Sequence, residues 1–395
     1  MAETLSFFIV LFAALFFSEV FKRLHLPWVV ALILGGIIIG PFGLKILTPN
    51  TTIDFLAEIG LVFLMFMAGL ETKLSSFRRL EKGKFTLPLL NGGLPFLVGL
   101  GLGIYFGLEF KAALLLGIVF ISSSVAVILP SLEANNLLKT RLGKSIIATT
   151  ILEDIASLVL LSILFQTVSP LTSLPLPAFY ALLFATLVGL RWLIPRIRKF
   201  SLAKTEQERD LFQRELRVIL AILIGTVVSF QLLGLHPIIA GFFAGFVLSE
   251  SVTSKELKDK LRVLSYGLFI PIFFIVVGSK TDISVFFETK DIAIFTVLLI
   301  VGSISAKFIA GMIAGKLNNF SLREGALIGV ATIPQLSTTL AIAFTGFKLE
   351  ILSSELIAAL VALTIVTTLI SPLLIKFIKR YLEYPEGTKG GVAKT

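Results

Sequence analysis

The sequence contains no cysteine, which excludes disulfide bonds, thiolate metal sites and thiol redox control. Its only two histidines, His25 and His236, lack a third nearby ligand, so we do not expect a metal centre of the usual protein-ligand type. Charged residues make up 15% of the chain, against roughly 25% in an average soluble domain. No catalytic triad, metal cluster or phosphate-binding loop is apparent, so we expect neither an enzyme nor a bound cofactor.

Apolar residues dominate what is present. They account for 56% of the 395 residues, and the mean hydropathy is +0.98. A bilayer core of ~30 Å requires about 20 apolar residues per crossing, and such runs follow one another almost throughout the chain. The sequence therefore predicts an all-α polytopic membrane protein, a single unit over 1–395. Its thirteen predicted helices lie near 5–22, 27–42, 53–71, 84–106, 111–133, 140–167, 173–199, 212–234, 236–249, 261–279, 291–316, 322–346 and 353–378.

The basic residues predict how the chain is oriented. They concentrate in alternate loops, at 73–84, 139–144, 191–217 and 255–262, and in a short tail over 380–395. The opposite side has only Lys45, Lys111, Lys280, Lys290 and Lys348. The positive-inside rule therefore predicts a cell-membrane protein with its N-terminus outside and its C-terminus in the cytoplasm. The net charge of +10 then reflects contact with anionic membrane lipid, and we expect no nucleic-acid partner.

The two halves of the sequence resemble each other in pattern. Pro27 begins a glycine-rich helix, and Pro237 begins another such helix 210 residues later. Helices shifted by seven positions correspond, and an odd shift reverses the direction in which they cross the membrane. This pattern predicts two inverted-topology repeats, with 173–199 as the unpaired connecting helix.

Two predicted helices, at corresponding places in the halves, carry polar interruptions. Inverted repeats commonly place their binding site where paired helices break near the membrane midplane. Hydroxyl side chains compete for backbone hydrogen bonds and proline removes a donor, so both helices are predicted to be discontinuous and to cross. The candidate site residues at these breaks are Ser122, Ser123, Ser124, Thr332, Pro334, Gln335, Ser337 and Thr338.

Glu153 and Asp154 are adjacent carboxylates within an apolar helical run. Insertion of one charge at a helix centre costs about 2.5 to 3.5 kcal/mol, so two together indicate function. Lys307 is the one basic residue that belongs to neither side of the membrane, and it shares their depth of ~13 Å from the cytoplasmic side. Neighbouring side chains point about 100° apart, so one carboxylate can neutralise Lys307 while the other faces a cavity. The sequence does not decide whether Glu153 is a structural partner of Lys307 or a second titrating group.

The segments Leu152 to Ala156, Glu58 to Glu71, Phe269 to Gly278 and Ser305 to Phe308 together resemble one family. It is the second branch of the monovalent cation:proton antiporters, with the NapA-type sodium/proton exchangers and Kef-like membrane domains. The resemblance covers nearly the whole chain. It implies a thirteen-helix homodimer of the NhaA/NapA-like fold. The implied dimerisation domain comprises helices within 5–71 and 212–279, and the implied core domain comprises 84–167 and 291–378.

The resemblance also implies roles for the charged residues. Asp154 would bind the monovalent cation or a proton, and Glu153 would pair with Lys307. The Glu-Asp pair departs from the Asp-Asp of sodium exchangers and the Gln-Asp of Kef-like proteins, and Pro334-Gln335 replaces a commonly charged position. Exchange of sodium (or lithium) for protons is the expected function. The alternatives are potassium/proton exchange, a sodium-coupled solute symporter and a cation channel.

Overall fold

In a computed structural model, the regular elements of the described residues are all helices. The structure describes residues 2–23, 26–48, 50–72, 85–168, 214–232, 236–249, 252, 254–288 and 290–380, with scattered positions between 175 and 196. The first helices are α1 (Ala2–Arg23), α2 (Trp28–Ile39), α3 (Thr51–Glu71), α4 (Thr86–Tyr105), α5 (Phe110–Ile121), α6 (Val125–Ala134), α7 (Arg141–Val168) and α8 (Arg214–Leu232). They are followed by α9 (Pro237–Leu248), α10 (Lys255–Leu264), a π-helical turn (Ser265–Phe269), α11 (Ile270–Ser279), α12 (Val285–Glu288), α13 (Lys290–Leu317), α14 (Leu322–Ala331), α15 (Ser337–Lys348) and α16 (Ser354–Lys379).

Eight helical spans of the described residues are long and apolar enough to cross a membrane. The predicted all-α polytopic membrane protein is therefore confirmed. The count of thirteen stays a prediction, because most of the connecting helix at 173–199 lies outside the described residues. So do the 73–84 loop, most of 191–217 and the tail beyond 380. The span predicted over 261–279 begins earlier, at Lys255, because Ser254 caps α10 by accepting from the Leu257 N–H.

Large apolar side chains on the outside of the helices form the surface that suits lipid. On α1, Leu5, Phe8, Phe12 and Leu15 are each more than half exposed and recur at helical spacing. Val297 and Val301 expose a similar face of α13. Because lipid tails are as apolar as these side chains, close packing between helices must come from shape.

Glycines supply that shape in a way that repeats between the halves. A Cβ atom on Gly36 of α2 would lie 2.1 Å from the carbonyl oxygen of Ile275 in α11. Shifted by 209 residues, the same contact joins Gly245 of α9 to the carbonyl oxygen of Phe66 in α3, at 2.0 Å. The backbones therefore touch directly, and α2 against α11 repeats as α9 against α3.

A second set of contacts repeats among α4, α5, α13 and α14 with a shift of 212 residues. Gly103 beside Ala113 recurs as Gly315 beside Gly325, and Gly117 beside Phe96 recurs as Gly329 beside Phe308. In each case a Cβ atom on the first glycine would come within about 3 Å of the partner. The predicted internal repeat is thus visible in the packing of equivalent helices.

Both predicted interruptions are breaks in the helices. Ser122 and Ser124 have extended backbone conformations between α5 and α6, and Thr332 to Leu336 separate α14 from α15. Pro334 explains the second break, since it has no N–H and keeps the preceding residue out of the helical region. The two breaks meet where they cross: the Ser124 N–H donates to the Pro334 carbonyl oxygen at 2.7 Å.

Candidate functional site

Lys307 of α13 lies at the centre of the crossing. Its side chain is fully buried, and Nζ lies 2.9 Å from Oε2 of Glu153, itself only 1% exposed. Nζ also donates to the Ile121 carbonyl oxygen at 2.7 Å and to Ser123 Oγ at 3.0 Å. An ammonium group has three protons, so all three are used. Lys307 thereby neutralises Glu153 and caps the carboxyl end of α5.

Glu153 is held from several sides. Asn91 of α4 donates from Nδ2 to Oε1 at 2.6 Å, and Ser123 Oγ lies 2.5 Å from Oε2. Ser123 Oγ is also 2.8 Å from the Thr332 carbonyl oxygen, and one hydroxyl proton serves one of these acceptors at a time. Asn91 Nδ2 donates a second bond to Thr332 Oγ1 at 2.9 Å. Glu153 therefore joins α4, α7, α13 and both helix breaks in one network.

Asp154 faces a different direction from Glu153. The adjacent position on α7 turns its carboxylate away from Lys307, and Thr338 Oγ1 of α15 donates to Asp154 Oδ1 at 3.2 Å. Asp154 lines a cavity of about 40 Å³ together with Ser122, Ser123, Ser124, Ser337 and Thr338. This volume exceeds the ~10 to 15 Å³ that a cavity needs in order to hold one water molecule. The site can hold a small cation next to a carboxylate and several hydroxyl oxygens.

The Asp154 cavity extends along the C-terminal half of α3. Leu64, Ala68, Glu71 and Thr72 line it there, with Tyr266 of the π-helical turn opposite. Glu71 lies 3.6 Å from an Arg262 guanidinium nitrogen. The cavity therefore runs from Asp154 toward the end of α3 that precedes the 73–84 loop.

The other end of α3 carries charged contacts. Glu58, on α3, forms an ion pair with Lys348 at the end of α15. Beside it, Lys280 Nζ lies 2.7 Å from Asp54 Oδ1. The Lys280 and Lys348 ammonium groups are each 5.3 Å from the Phe344 ring centroid. These contacts join α3 to α15 on the side of Asp154 that faces away from Glu71.

The predicted site residues separate into two groups in space. The Asp154 cavity is lined by the three serines of the first break together with Ser337 and Thr338. Thr332 and Pro334 do not line it; their carbonyl oxygens accept hydrogen bonds from the first break. Gln335 points elsewhere: its Nε2 donates to Ser303 Oγ at 3.1 Å. Asn91 is a site residue that the sequence does not single out, since its one signal is an amide within an otherwise apolar helix.

Together, this fold and this site define a membrane transporter with crossing discontinuous helices around buried charges. The sodium/hydrogen exchanger family of transmembrane proteins matches residues 7–380. The chain belongs to that family, so the predicted antiporter family is confirmed.

Relatives of known name extend over nearly the whole chain. A probable Na⁺/H⁺ antiporter 3 from Methanocaldococcus jannaschii is 32% identical over 376 residues, covering 94% of this chain and 95% of its own. A Na⁺/H⁺ antiporter from Enterococcus hirae is 29% identical over 382 residues, covering 94% of this chain and 97% of its own. The structure of the sodium proton antiporter MjNhaP1 from M. jannaschii has a TM-score of 0.70 at 16% identity, covering 97% of this chain and 99% of its own. This last similarity supports the fold alone.

Proposed function

We propose that the protein is a secondary active sodium/proton antiporter in which Asp154 carries either the cation or the proton. The observation that carries this proposal is the division between the two carboxylates. Glu153 is saturated by Lys307, Asn91 and Ser123, whereas Asp154 faces the cavity. The names of the M. jannaschii and E. hirae relatives agree with sodium and protons as the exchanged ions.

A single carboxylate in a small cavity makes the two substrates compete. Protonation removes the negative charge that holds the cation, and a bound cation removes the lone pairs that accept the proton. Sodium prefers oxygen ligands, which the Asp154 carboxylate and the Thr338 and Ser337 hydroxyl groups offer. Exchange then requires only that the occupied protein can switch the side of the membrane from which the site is accessible, and that the empty protein cannot.

The one-sided cavity supports alternating access. The core domain, 84–167 and 291–378, would move against the dimerisation domain, 5–71 and 212–279, with 173–199 connecting the repeats. With the N-terminus outside the cell membrane, the cavity near Glu71 opens toward the cytoplasm, and the Glu58–Lys348 pair closes the external side. A homodimer through the dimerisation domain would hold that domain fixed in the lipid while the core moves.

Proteoliposomes loaded with a pH-sensitive dye test this function. A sodium gradient should drive opposite proton movement by the wild-type protein, and Asp154→Asn should abolish it, because an amide neither titrates nor neutralises a cation. Lithium and potassium gradients establish ion preference, and clamping the membrane potential at several values tests for net charge movement. Exchange that persists in Asp154→Asn contradicts the assignment of the carrier. Cation flux without proton counterflow would indicate a channel, and sodium-stimulated solute uptake a symporter.

A further inference from the structure

The internal repeat relates the end of α3 to the end of α11. Gly69-Leu70-Glu71-Thr72 aligns, with a shift of 209 residues, with Gly278-Ser279-Lys280-Thr281. The two glycines pack alike, since a Cβ atom on either would lie 2.1 Å from a carbonyl oxygen of a neighbouring helix. The threonines bond alike, from Oγ1 to the carbonyl oxygen four residues earlier, at 2.9 Å for Thr72 and 2.8 Å for Thr281. These contacts fix the alignment on both sides of Glu71 and Lys280.

Glu71 and Lys280 carry opposite charges at these equivalent positions, and each forms an ion pair. Glu71 lies 3.6 Å from an Arg262 guanidinium nitrogen. Lys280 Nζ lies 2.7 Å from Asp54 Oδ1, at the end of α3 that also carries Glu58. Two ion pairs therefore join α3 to the segment formed by α10 and α11, one at each end of α3.

The partners of Glu71 and Lys280 are also equivalent by the repeat. A π-helical turn closes its hydrogen bond over five residues instead of four, so it accommodates one residue more than an α-helical turn. Residues that precede the π-helical turn are therefore shifted by 208 instead of 209. With this shift Arg262 corresponds to Asp54, and the buried Leu261 corresponds to the buried Ile53. The repeat keeps the position of the ion pair and exchanges its acid for its base.

Glu71 is the member of its pair that faces the path of the ion. It lines the Asp154 cavity beside Thr72 and Tyr266, whereas Arg262 does not line that cavity. Leu64, which also lines the cavity, precedes Glu71 by seven residues, or ~10 Å along α3. This length is about one Debye length at 0.1 M salt. At lower ionic strength the charge of Glu71 therefore acts on an ion anywhere along this part of the cavity.

Helix stability does not explain the polarity of the Glu71–Arg262 pair. A helix carries partial negative charge at its C-terminus, where a base is favourable and an acid is unfavourable. Lys280, directly after α11, follows this preference, and Glu71, the last residue of α3, opposes it. An ion pair that only joined the two helices would be at least as stable with the base on α3. The acid at the cavity therefore indicates a role toward a cation.

We propose that these two ion pairs give the two entrances of the exchanger different apparent affinities for the cation. Glu71 attracts the cation into the cavity from the cytoplasmic side. Lys280, at the equivalent position of the external entrance, opposes its entry when the site faces outward. The inference rests on the proposed function and adds a direction to it, since the cation saturates the cytoplasmic side at the lower concentration. The equilibrium is unchanged, because the two ion gradients alone determine it.

The size of the effect should depend on competition with protons. Glu71 attracts sodium ions and protons equally, so its charge cancels from KM where protons occupy most of the sites. Where Asp154 is deprotonated before sodium binds, the full effect should appear in KM. The informative condition is therefore the alkaline range in which KM no longer changes with pH.

Everted and right-side-out membrane vesicles measure the two entrances separately, in a host without sodium/proton exchange of its own. Sodium chloride replaces choline chloride at a low, constant ionic strength, and the proton response gives KM for sodium. The wild type should have the lower KM in everted vesicles. There Glu71→Gln should raise KM about threefold to tenfold, because Arg262 is left without its counter-charge, and Arg262→Gln should lower KM by a similar factor. Both variants break the same ion pair, so a purely structural role would shift KM in one direction for both.

The external pair supplies the matched controls. In right-side-out vesicles Lys280→Gln should lower KM and Asp54→Asn should raise it, while Glu71→Gln and Arg262→Gln should leave it unchanged. Added choline chloride should reduce all of these shifts. The inference is overturned if Glu71→Gln and Arg262→Gln shift KM in the same direction, or if their shifts are equal in the two kinds of vesicle. A wild type without exchange would contradict the proposed function as well, whereas exchange with either of those results contradicts this inference alone.

Discussion

Lys307 and Glu153 form a buried ion pair, with Nζ 2.9 Å from Oε2, and Asp154 on the next position of α7 faces away from it. Burying two charges is costly, and their mutual attraction offsets that cost only when the remaining hydrogen bonds are also made. Here Asn91, Ser123 and the Ile121 carbonyl make them. The pair therefore belongs to the framework, while Asp154 remains available to a ligand.

Removal of one member of this pair should destabilise the protein strongly. Glu153→Gln or Lys307→Ala leaves the other charge buried alone, at a cost of about 3 to 5 kcal/mol. The double variant Glu153→Leu with Lys307→Met should recover most of that loss, because apolar groups of similar volume need no partner. Thermal unfolding in detergent measures all three variants. Single variants that melt like the wild type would show that the two charges do not support each other.

Competition at Asp154 should give a specific dependence on pH. Where protons occupy most of the sites, each tenfold rise in proton concentration should raise the apparent KM for sodium about tenfold. The maximal rate should stay nearly constant, because saturating sodium displaces the proton. Initial rates of sodium-driven dye response across a pH series measure both quantities. A pH effect confined to the maximal rate would argue for a separate titrating group that controls the conformational change.

Glu58 and Lys348 should act as a contact that opens during each cycle. Exposed ion pairs contribute about 0.2 to 1 kcal/mol, so Lys348→Glu should shift the balance of conformations up to about fivefold toward external opening. Glu58→Lys in the same chain should reverse the shift by restoring the pair with exchanged charges. External accessibility of a single cysteine at Ala126, measured by labelling, reports this balance, since Ala126 lines the cavity.

The absence of native cysteine allows a sharper version of that experiment. Glu58→Cys with Lys348→Cys should form a disulfide under oxidation and stop exchange, and reductant should restore it. Either single cysteine variant is the control, because it has no partner to bond. Full exchange with the crosslink in place would show that α3 and α15 do not separate at this point.

Glycine packing between the repeats should be intolerant of one methyl group. In Gly36→Ala the new Cβ would lie 2.1 Å from the Ile275 carbonyl oxygen, so the two helices must move apart. We expect a loss of about 1 to 3 kcal/mol of stability. Gly101→Ala is the control, because no atom lies within 4 Å of its Cβ position and alanine favours the helix by up to ~1 kcal/mol. Equal melting temperatures for the two variants would contradict the direct backbone contact.

Several parts of the site could be predicted because they conflict with their surroundings. Charges such as Asp154 and Lys307 are expensive in an apolar helix, and Pro334 cannot continue one, so each is visible without coordinates. The sequence does not single out Asn91, because an isolated polar residue in a membrane helix usually bonds to nearby backbone or to a helix neighbour. Its contact with Glu153 spans 62 residues of chain. The sequence pattern groups Gln335 with the other residues of its break, but its side-chain amide bonds to Ser303.

The amino-acid sequence by itself determined the membrane class, the broken helices and the presence of a buried acidic pair. These follow from hydropathy, backbone chemistry and the cost of charge in lipid, which are local properties. Only the tertiary structure decided which carboxylate faces Lys307 and which faces the cavity, since that depends on the rotation of α7 against α4, α13 and α15. It also decided that the Gln335 amide bonds to Ser303 and does not line the Asp154 cavity. The crossing of the two breaks brings together oxygen atoms that lie far apart along the chain.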